Sequence, residues 1–246
     1  MNRDAEVIIS THLLTKKYNE FIALESLDLT IYKGEIFGFL GHNGAGKTTT
    51  VSMLTTLLSP TSGSASICGF NVIKDSFEVK KRIGYLPENV KFYNNMTAYE
   101  NLAYFAKLSG IRNPKEKIIE TLNFLEFTGV EDKKIGEFSK GMRQRIGIAQ
   151  AILHDPQVLF LDEPTSGLDP MGIKKLRDTI LKLNQEKGMT VFMNTHLLSE
   201  VAKTCTTIGV LSHGKLIYKD TLKNTMNRFH DENSLEDIYF SMDKKR

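Results

Sequence analysis

The stretch Gly41-His42-Asn43-Gly44-Ala45-Gly46-Lys47-Thr48 matches the spacing G-x-x-x-x-G-K-S/T. The continuous apolar run at 36–40 precedes it and is typical of a strand that is covered on both faces. A helix is predicted after the loop, to about Leu58, where Ser59 and Pro60 end it. A strand, a glycine-rich turn and a helix in this order predict a phosphate-binding loop.

The residue types of this loop suit a polyphosphate. Glycines let the backbone N–H groups approach the phosphates closely, and the start of a helix favours negative charge. Lys47 would add a full positive charge, and the hydroxyl of Thr48 could bind Mg²⁺. We therefore expect ATP to contact the following residues: Gly41, Asn43, Gly44, Ala45, Gly46, Lys47, Thr48 and Thr49.

Two further strands end in polar side chains. The apolar run 158–161 is followed by Asp162 and Glu163, and the run 190–193 is followed by His196. The carboxyl ends of parallel strands meet at one edge of a sheet, so these groups should face the phosphate loop. Adjacent strand residues point to opposite faces, which predicts different roles: Asp162 for the metal shell and Glu163 for activating water. His196 is placed to hydrogen-bond the γ phosphate.

The rest of the chain predicts an α/β fold with three parts. Alternating polar and apolar residues at 6–32 indicate strands, whereas 97–153 has helical spacing. Strands that alternate with helices elsewhere indicate a mainly parallel sheet. We predict one ATPase domain over 1–220 with a helical subdomain at about 92–155, and a short helical tail at 221–246 in which Leu235, Ile238 and Tyr239 share a face.

Composition limits the possible classes of protein. Apolar residues make up 41% of the chain, which is enough for a buried core, but no apolar run approaches the ~20 residues needed to cross a bilayer. The net charge of +3 and the scattered basic clusters give no reason to expect nucleic acid. Cys68 and Cys205 are isolated, and the acidic N-terminus lacks the features of a signal peptide. We expect a cytoplasmic location.

Several short motifs resemble those of the ABC ATPases in the family's order. The segment Phe138-Ser139-Lys140-Gly141-Met142 is similar to the family's signature L-S-G-G-Q. The other matching segments are the upstream aromatic Tyr18, the Q-loop at 84–88, the D-loop at 166–169 and the H-loop at 194–196. The resemblance covers residues 6 to about 220. It implies a P-loop NTPase core with an antiparallel β subdomain and an inserted helical subdomain.

The resemblance also implies a mechanism. Two subunits, most simply two identical chains, would pair head to tail with ATP and Mg²⁺ between them. Tyr18 would stack on adenine, while Ser139, Gly141 and Asp169 would contact the nucleotide from the dimer interface. Glu163, His196 and Glu88 would form the catalytic group, and Thr48, Asp162 and Glu88 would serve the metal. The helical subdomain would pass dimer closure to a membrane permease, on the inner face of the membrane.

Two departures from the family pattern bear on the direction of transport. Glu88 replaces the usual glutamine, and Lys140 and Met142 replace glycine and glutamine in the signature. Both resemble export-type ATPases whose permease is a separate polypeptide, so we expect export. A soluble ABC ATPase that serves a non-membrane partner, such as a cofactor-assembly scaffold, remains the alternative. A regulatory module without turnover is disfavoured by the presence of Asp162, Glu163 and His196 together.

Overall fold

The fold was analysed in a computed structural model, which describes residues 6–228. Its strands are, in chain order, β1 Val7–Tyr18, β2 Phe21–Tyr32, β3 Ile36–Leu40, β4 Ser62–Ile67, β5 Phe70–Asn71, β6 Ile83–Leu86, β7 Val158–Asp162, β8 Thr190–Asn194, β9 Thr207–Ser212 and β10 Lys215–Thr221. Its helices are α1 Lys47–Leu54, α2 Ser76–Lys80, α3 Ala98–Leu108, α4 Pro114–Phe124, α5 Lys140–Ile152, α6 Pro170–Lys187, α7 Leu198–Thr204 and α8 Leu222–Arg228.

The strands form two sheets. The first is antiparallel, in the order β2-β1-β4-β5. The second has the order β10-β9-β3-β8-β7-β6, and all of its pairings are parallel except that of β10 with β9. The predicted fold, a mainly parallel core sheet with an antiparallel β part and inserted helices, is therefore confirmed.

Both faces of the parallel sheet are covered, which explains its continuous apolar strands. On one face, four buried phenylalanines pack against α1 and the antiparallel sheet: Phe37, Phe39, Phe160 and Phe192. On the other face, alternate residues such as Leu159, Leu161 and Val191 share a core with α3 to α7. The sheet is thus held rigidly between two apolar layers, and its carboxyl edge is available for polar groups.

The segment between β6 and β7 holds the three α-helices α3, α4 and α5, with a short 3-10 helix at Ile135–Glu137 before α5. Thr97 begins α3 with a reciprocal capping box, in which its hydroxyl accepts from the backbone N–H of Glu100 and its own N–H donates to the Glu100 carboxylate. Asn101 is buried and ties the preceding loop to the helix by hydrogen bonds to Tyr93 and Thr97. The apolar interior of these helices is continuous with the core under the parallel sheet, so the subdomain limits 92–155 stay a prediction.

The first helix ends earlier than its sequence indicates. It was predicted to reach Leu58, but α1 ends at Leu54. Thr56 takes a left-handed conformation with φ 64°, and the N–H groups of Leu57 and Leu58 both turn back to the carbonyl oxygen of Ser52. These turn contacts satisfy the end of the helix before Pro60 is reached. At the other end of the chain, α8 begins the predicted tail, whereas Leu235, Ile238 and Tyr239 lie outside the described residues.

Candidate functional site

The glycine loop is formed by close backbone packing. Gly44 and Gly46 have φ of 83° and 106°, which side chains with a Cβ rarely adopt. A Cβ on Gly41 would collide with the carbonyl oxygen of Leu211, and one on Gly46 with that of Ala23. The loop therefore packs closely between β9 and β2, and this packing supports its shape.

Lys47 lies at the centre of the loop. Its side chain is 6% exposed, and its Nζ donates to the carbonyl oxygens of Gly41 at 2.7 Å and His42 at 3.2 Å. Burial lowers the pKa of the Lys47 ammonium, and the nearby carboxylates of Glu163 and Asp162 oppose that shift. The loop thus encloses a poorly hydrated cation, which is suited to bind phosphate strongly.

Strand register brings Asp162 beside the loop. Phe39 of β3 pairs with Asn194 of β8, and Asn194 pairs with Asp162 of β7, so the three strand ends are level. The Asp162 carboxylate is 5% exposed and accepts a 2.5 Å hydrogen bond from Asn194 Nδ2. Burial raises the pKa of the Asp162 carboxyl, and the Asn194 hydrogen bond opposes this rise. A buried carboxylate that accepts only one hydrogen bond from a side chain still has oxygen lone pairs with which to bind a cation.

Glu163 points in a different direction from Asp162 because the backbone turns sharply after the strand. We expected strand alternation to separate the two carboxylates, but β7 ends at Asp162 and Glu163 takes a left-handed φ of 47°. Its backbone N–H donates to Asn194 O at 2.8 Å. Its Oε2 accepts from Nδ1 of His196, also at 2.8 Å. The chain therefore leaves the strand abruptly and directs Glu163 toward His196.

Lys47, Glu163 and His196 meet in a cleft of about 470 Å³, and the predicted metal residue Asp162 is buried and is not among the residues that line it. It is lined by Tyr18, Phe21, Ala23, Asn43, Gly44, Gly46, Lys47, Thr48, Thr49, Glu88, Glu163 and His196. Two predicted contacts, Gly41 and Ala45, are buried in the loop and do not line the cleft. Phe21 is an addition: it is 63% exposed and pairs with Tyr18 across the β1–β2 turn. Recognition of that hairpin would have identified Phe21 from the sequence.

The polar side chains in and beside this cleft fit Mg²⁺. The candidate ligands Thr48, Asp162 and Glu88 offer only oxygen atoms, which magnesium prefers. Oδ1 of Asn194 is buried and has no hydrogen-bond partner among the described residues. No group of three or more His, Cys, Asp and Glu side chains that could hold a metal by itself occurs within residues 6–228. This donor set suits a metal that is held partly by the phosphates of a nucleotide.

The signature residues lie in a second cleft. Ser139 caps α5, and its Oγ accepts from Met142 N at 3.3 Å. Asp169 caps α6 by accepting from Gly172 N at 2.7 Å. Ser139, Gly141 and Asp169 line a cleft of about 190 Å³ that shares no lining residue with the first. The structure therefore does not bring these three predicted contacts to the phosphate loop of their own chain.

Glu88 stands between the two regions. It lines the cleft of the phosphate loop, and its Oε1 accepts a long hydrogen bond of 3.4 Å from the hydroxyl of Ser166 in the D-loop. A glutamine amide in its place could donate as well as accept, whereas the glutamate can only accept.

Comparison with known proteins agrees with this architecture. The family profile described as ABC transporter matches residues 24–166. The bacitracin transport ATP-binding protein BcrA of Bacillus licheniformis is 45% identical over 233 residues, which cover 94% of this chain and 76% of the relative. Similarity at this level extends well beyond the motifs.

Solved structures extend the similarity to three dimensions. An ATP-binding subunit of an ABC transporter is 27% identical with a TM-score of 0.84, and the match covers 96% of this chain and 99% of the other. A dimeric ATP-binding cassette in a post-hydrolysis state, bound to ADP and phosphate, is 26% identical with a TM-score of 0.78, over 87% of this chain and 99% of the other. The glycine loop, the strand-end carboxylates and the profile match agree that the chain belongs to the ABC transporter family, as an ATP-binding subunit with ATPase activity.

Proposed function

We propose that the chain hydrolyses Mg²⁺-bound ATP at the interface of a head-to-tail homodimer and thereby drives export through a separate membrane permease. The observation that carries the proposal is the separation of two clefts. Lys47, Thr48, Glu163 and His196 line the first cleft, whereas Ser139 and Gly141 line the second. A two-fold partner would supply the signature residues to the nucleotide.

The chemistry at the first cleft follows from its groups. The loop N–H groups and Lys47 hold the β and γ phosphates, and Tyr18 and Phe21 offer aromatic surface to the adenine. Glu163 accepts a proton from the attacking water, and His196, which Glu163 orients through the 2.8 Å hydrogen bond, contacts the γ phosphate. Mg²⁺, held by Thr48, Asp162 and Glu88, would neutralise charge on the phosphates. ADP and inorganic phosphate leave.

The dimer follows from the chemistry of the second cleft. The first turn of α5 exposes backbone N–H groups and carries the positive end of the helix dipole. Its residues Ser139 and Gly141 are small, so a partner's γ phosphate can approach the backbone closely. ATP then joins the two subunits, and hydrolysis with phosphate release separates them.

We propose that residues 1–220 form this ATPase domain, with 92–155 as its helical part and 221–246 as a tail.

The permease is inferred from the family and from the relatives. Among residues 6–228, no helix is both long and apolar enough to cross a lipid bilayer. The relative BcrA is named for bacitracin transport, and Glu88, Lys140 and Met142 are the departures that resemble exporters. We place the chain on the cytoplasmic face of the membrane, bound to its permease. Copurification from solubilised membranes should recover a polytopic membrane protein, whereas a soluble scaffold in its place would overturn this assignment.

The decisive test of the dimer is Glu163→Gln. This variant keeps the size of the side chain but cannot accept a proton from water, so hydrolysis should fall by about 100-fold or more. With ATP and Mg²⁺ the variant should then elute as a dimer in size-exclusion chromatography, and with ADP as a monomer. Glu116→Gln, at an exposed position of α4, is the matched control and should turn over at the wild-type rate. Wild-type turnover by Glu163→Gln would remove Glu163 as the base, and a variant that binds ATP as a monomer would contradict the head-to-tail dimer.

A further inference from the structure

The signature helix α5 is joined to the segment that follows Glu163. Gln144 of α5 is 5% exposed, and its Nε2 donates to the carbonyl oxygen of Pro164 at 2.9 Å. This bond spans 20 residues of sequence and is buried. Pro164 directly follows the proposed general base, so one amide group connects the signature helix to the backbone that carries Glu163.

Two smaller contacts accompany this hydrogen bond. The Lys140 side chain lies against Gly167, where an added Cβ would come within 2.5 Å of Lys140 Nζ. A Cβ on Gly141 would lie 3.8 Å from Cδ2 of Leu168. The start of α5 therefore lies next to the segment 164–169, and the bond from Gln144 is the only side-chain hydrogen bond between α5 and that segment among residues 6–228.

Glu163 is held in a conformation that needs such support. Its φ of 47° is unfavourable for a residue with a side chain, and it is more unfavourable before a proline. The donors that fix this turn are its own N–H to Asn194 O at 2.8 Å, Ser166 N to Glu163 O at 3.1 Å, and Gln144 to Pro164 O. The first of these hydrogen bonds is made to strand β8, and the second lies within the turn itself. Only the Gln144 bond comes from the signature helix.

We propose that Gln144 is a positioning residue that couples the two ATP sites of the dimer. The inference rests on the proposed function, because it needs the signature turn of one chain to contact ATP bound to its partner. That contact fixes α5, and α5 fixes Pro164 and Glu163 in the site of its own chain. Binding of ATP at one site thereby aligns the general base at the other, which makes hydrolysis cooperative.

The test is Gln144→Met, which keeps length and removes the donor. We expect kcat to fall by about 10- to 100-fold, the loss that a small misplacement of a reacting group produces. The Hill coefficient for ATP should fall from above one toward one. Gln150→Met is the matched control: Gln150 lies on the same helix and makes no side-chain hydrogen bond within residues 6–228, so this variant should keep both values.

Dimerisation, melting temperature and a double-mutant cycle distinguish coupling by Gln144 from a purely structural role of this residue. In the Glu163→Gln background, Gln144→Met should still dimerise with ATP and keep its melting temperature within the range of Gln150→Met. In a double-mutant cycle, Ser139→Ala and Gln144→Met should not be additive in kcat, because they interrupt the same connection. Additive effects, a wild-type Hill coefficient of one, or loss of dimerisation with Gln144→Met would each overturn the coupling. Failure of Glu163→Gln itself to dimerise would instead overturn the proposed function.

Discussion

The two clefts of this molecule are built in different ways. In the cleft of the phosphate loop, charged groups from distant parts of the chain converge because parallel strands end level at Phe39, Asn194 and Asp162. The signature cleft instead lies at the starts of α5 and α6, where Ser139 and Asp169 act as caps. The first cleft is complete within one chain. We propose that the second is used when a partner chain brings its γ phosphate to it.

The largest effect is expected in the first cleft. Lys47→Ala removes the buried ammonium that the loop encloses, so ATP affinity should fall by about 100-fold or more, as expected for a lost charge-assisted hydrogen bond. Titration of the isolated chain with a fluorescent ATP analogue measures this. Lys174→Ala, at an exposed position of α6, should bind like wild type. If Lys47→Ala kept wild-type affinity, the first cleft would not be the nucleotide site.

A smaller effect, restricted to the dimer, is expected in the second cleft. Gly141→Asp fits the folded chain, since the nearest atom to an added Cβ is 3.8 Å away, and an acid in the first turn of α5 favours the helix dipole. The new carboxylate would meet the partner's γ phosphate. In the Glu163→Gln background the dimer should weaken by about 10- to 100-fold while the monomer binds ATP normally.

The control for charge is Gly141→Asn, which has nearly the same shape. Analytical ultracentrifugation with ATP should find more dimer with asparagine than with aspartate, and the difference should shrink at high salt. Reduced ATP affinity of the Gly141→Asp monomer would show that the two clefts are not separate, and the comparison between them would fail.

The sequence was most informative where spacing is local. The loop at 41–48 and the acids after β7 follow from short patterns and from the rule that parallel strands end at one edge. The strands at 6–32 and the helical segment also followed from periodicity, whereas the antiparallel β part was implied by the family resemblance. The roles of the individual site residues stay predictions, because proximity in the fold does not by itself assign a role.

The sequence was least informative where long-range contacts decide. Nothing in the residues around 163 indicates a left-handed glutamate, because that turn is set by Asn194 on a neighbouring strand. The bond from Gln144 to Pro164 O also depends on tertiary packing. The early end of α1 has the same origin in turn geometry, since Thr56 and Ser52 end the helix before its proline. The periodicity of apolar residues indicates local helices and strands, but it does not indicate such contacts.

The smallest expected effect is on thermal stability. It tests whether the buried carboxylate of Asp162 in the phosphate-loop region lowers the stability of the fold. Burial raises the pKa of the Asp162 carboxyl, so the folded chain binds this proton more tightly than the unfolded chain does. The ionised carboxylate therefore lowers the stability of the fold; this loss is absent below the unfolded pKa, grows as pH rises through the folded pKa, and is complete above it. Asp162→Asn removes the charge and still accepts from Asn194.

Without nucleotide, Asp162→Asn should therefore melt about 2–4 °C above wild type at neutral pH, the shift that about 1 kcal/mol gives in a chain of this size. The gain should vanish in acid, and hydrolysis should be lost. Asp178→Asn, at an exposed position of α6, should change neither. Differential scanning calorimetry across pH tests the sign, since a stability gain that grew on acidification would mean that the Asn194 hydrogen bond outweighs burial. The ionised Asp162 carboxylate would then not destabilise the fold, and its burial would not explain an affinity for a cation.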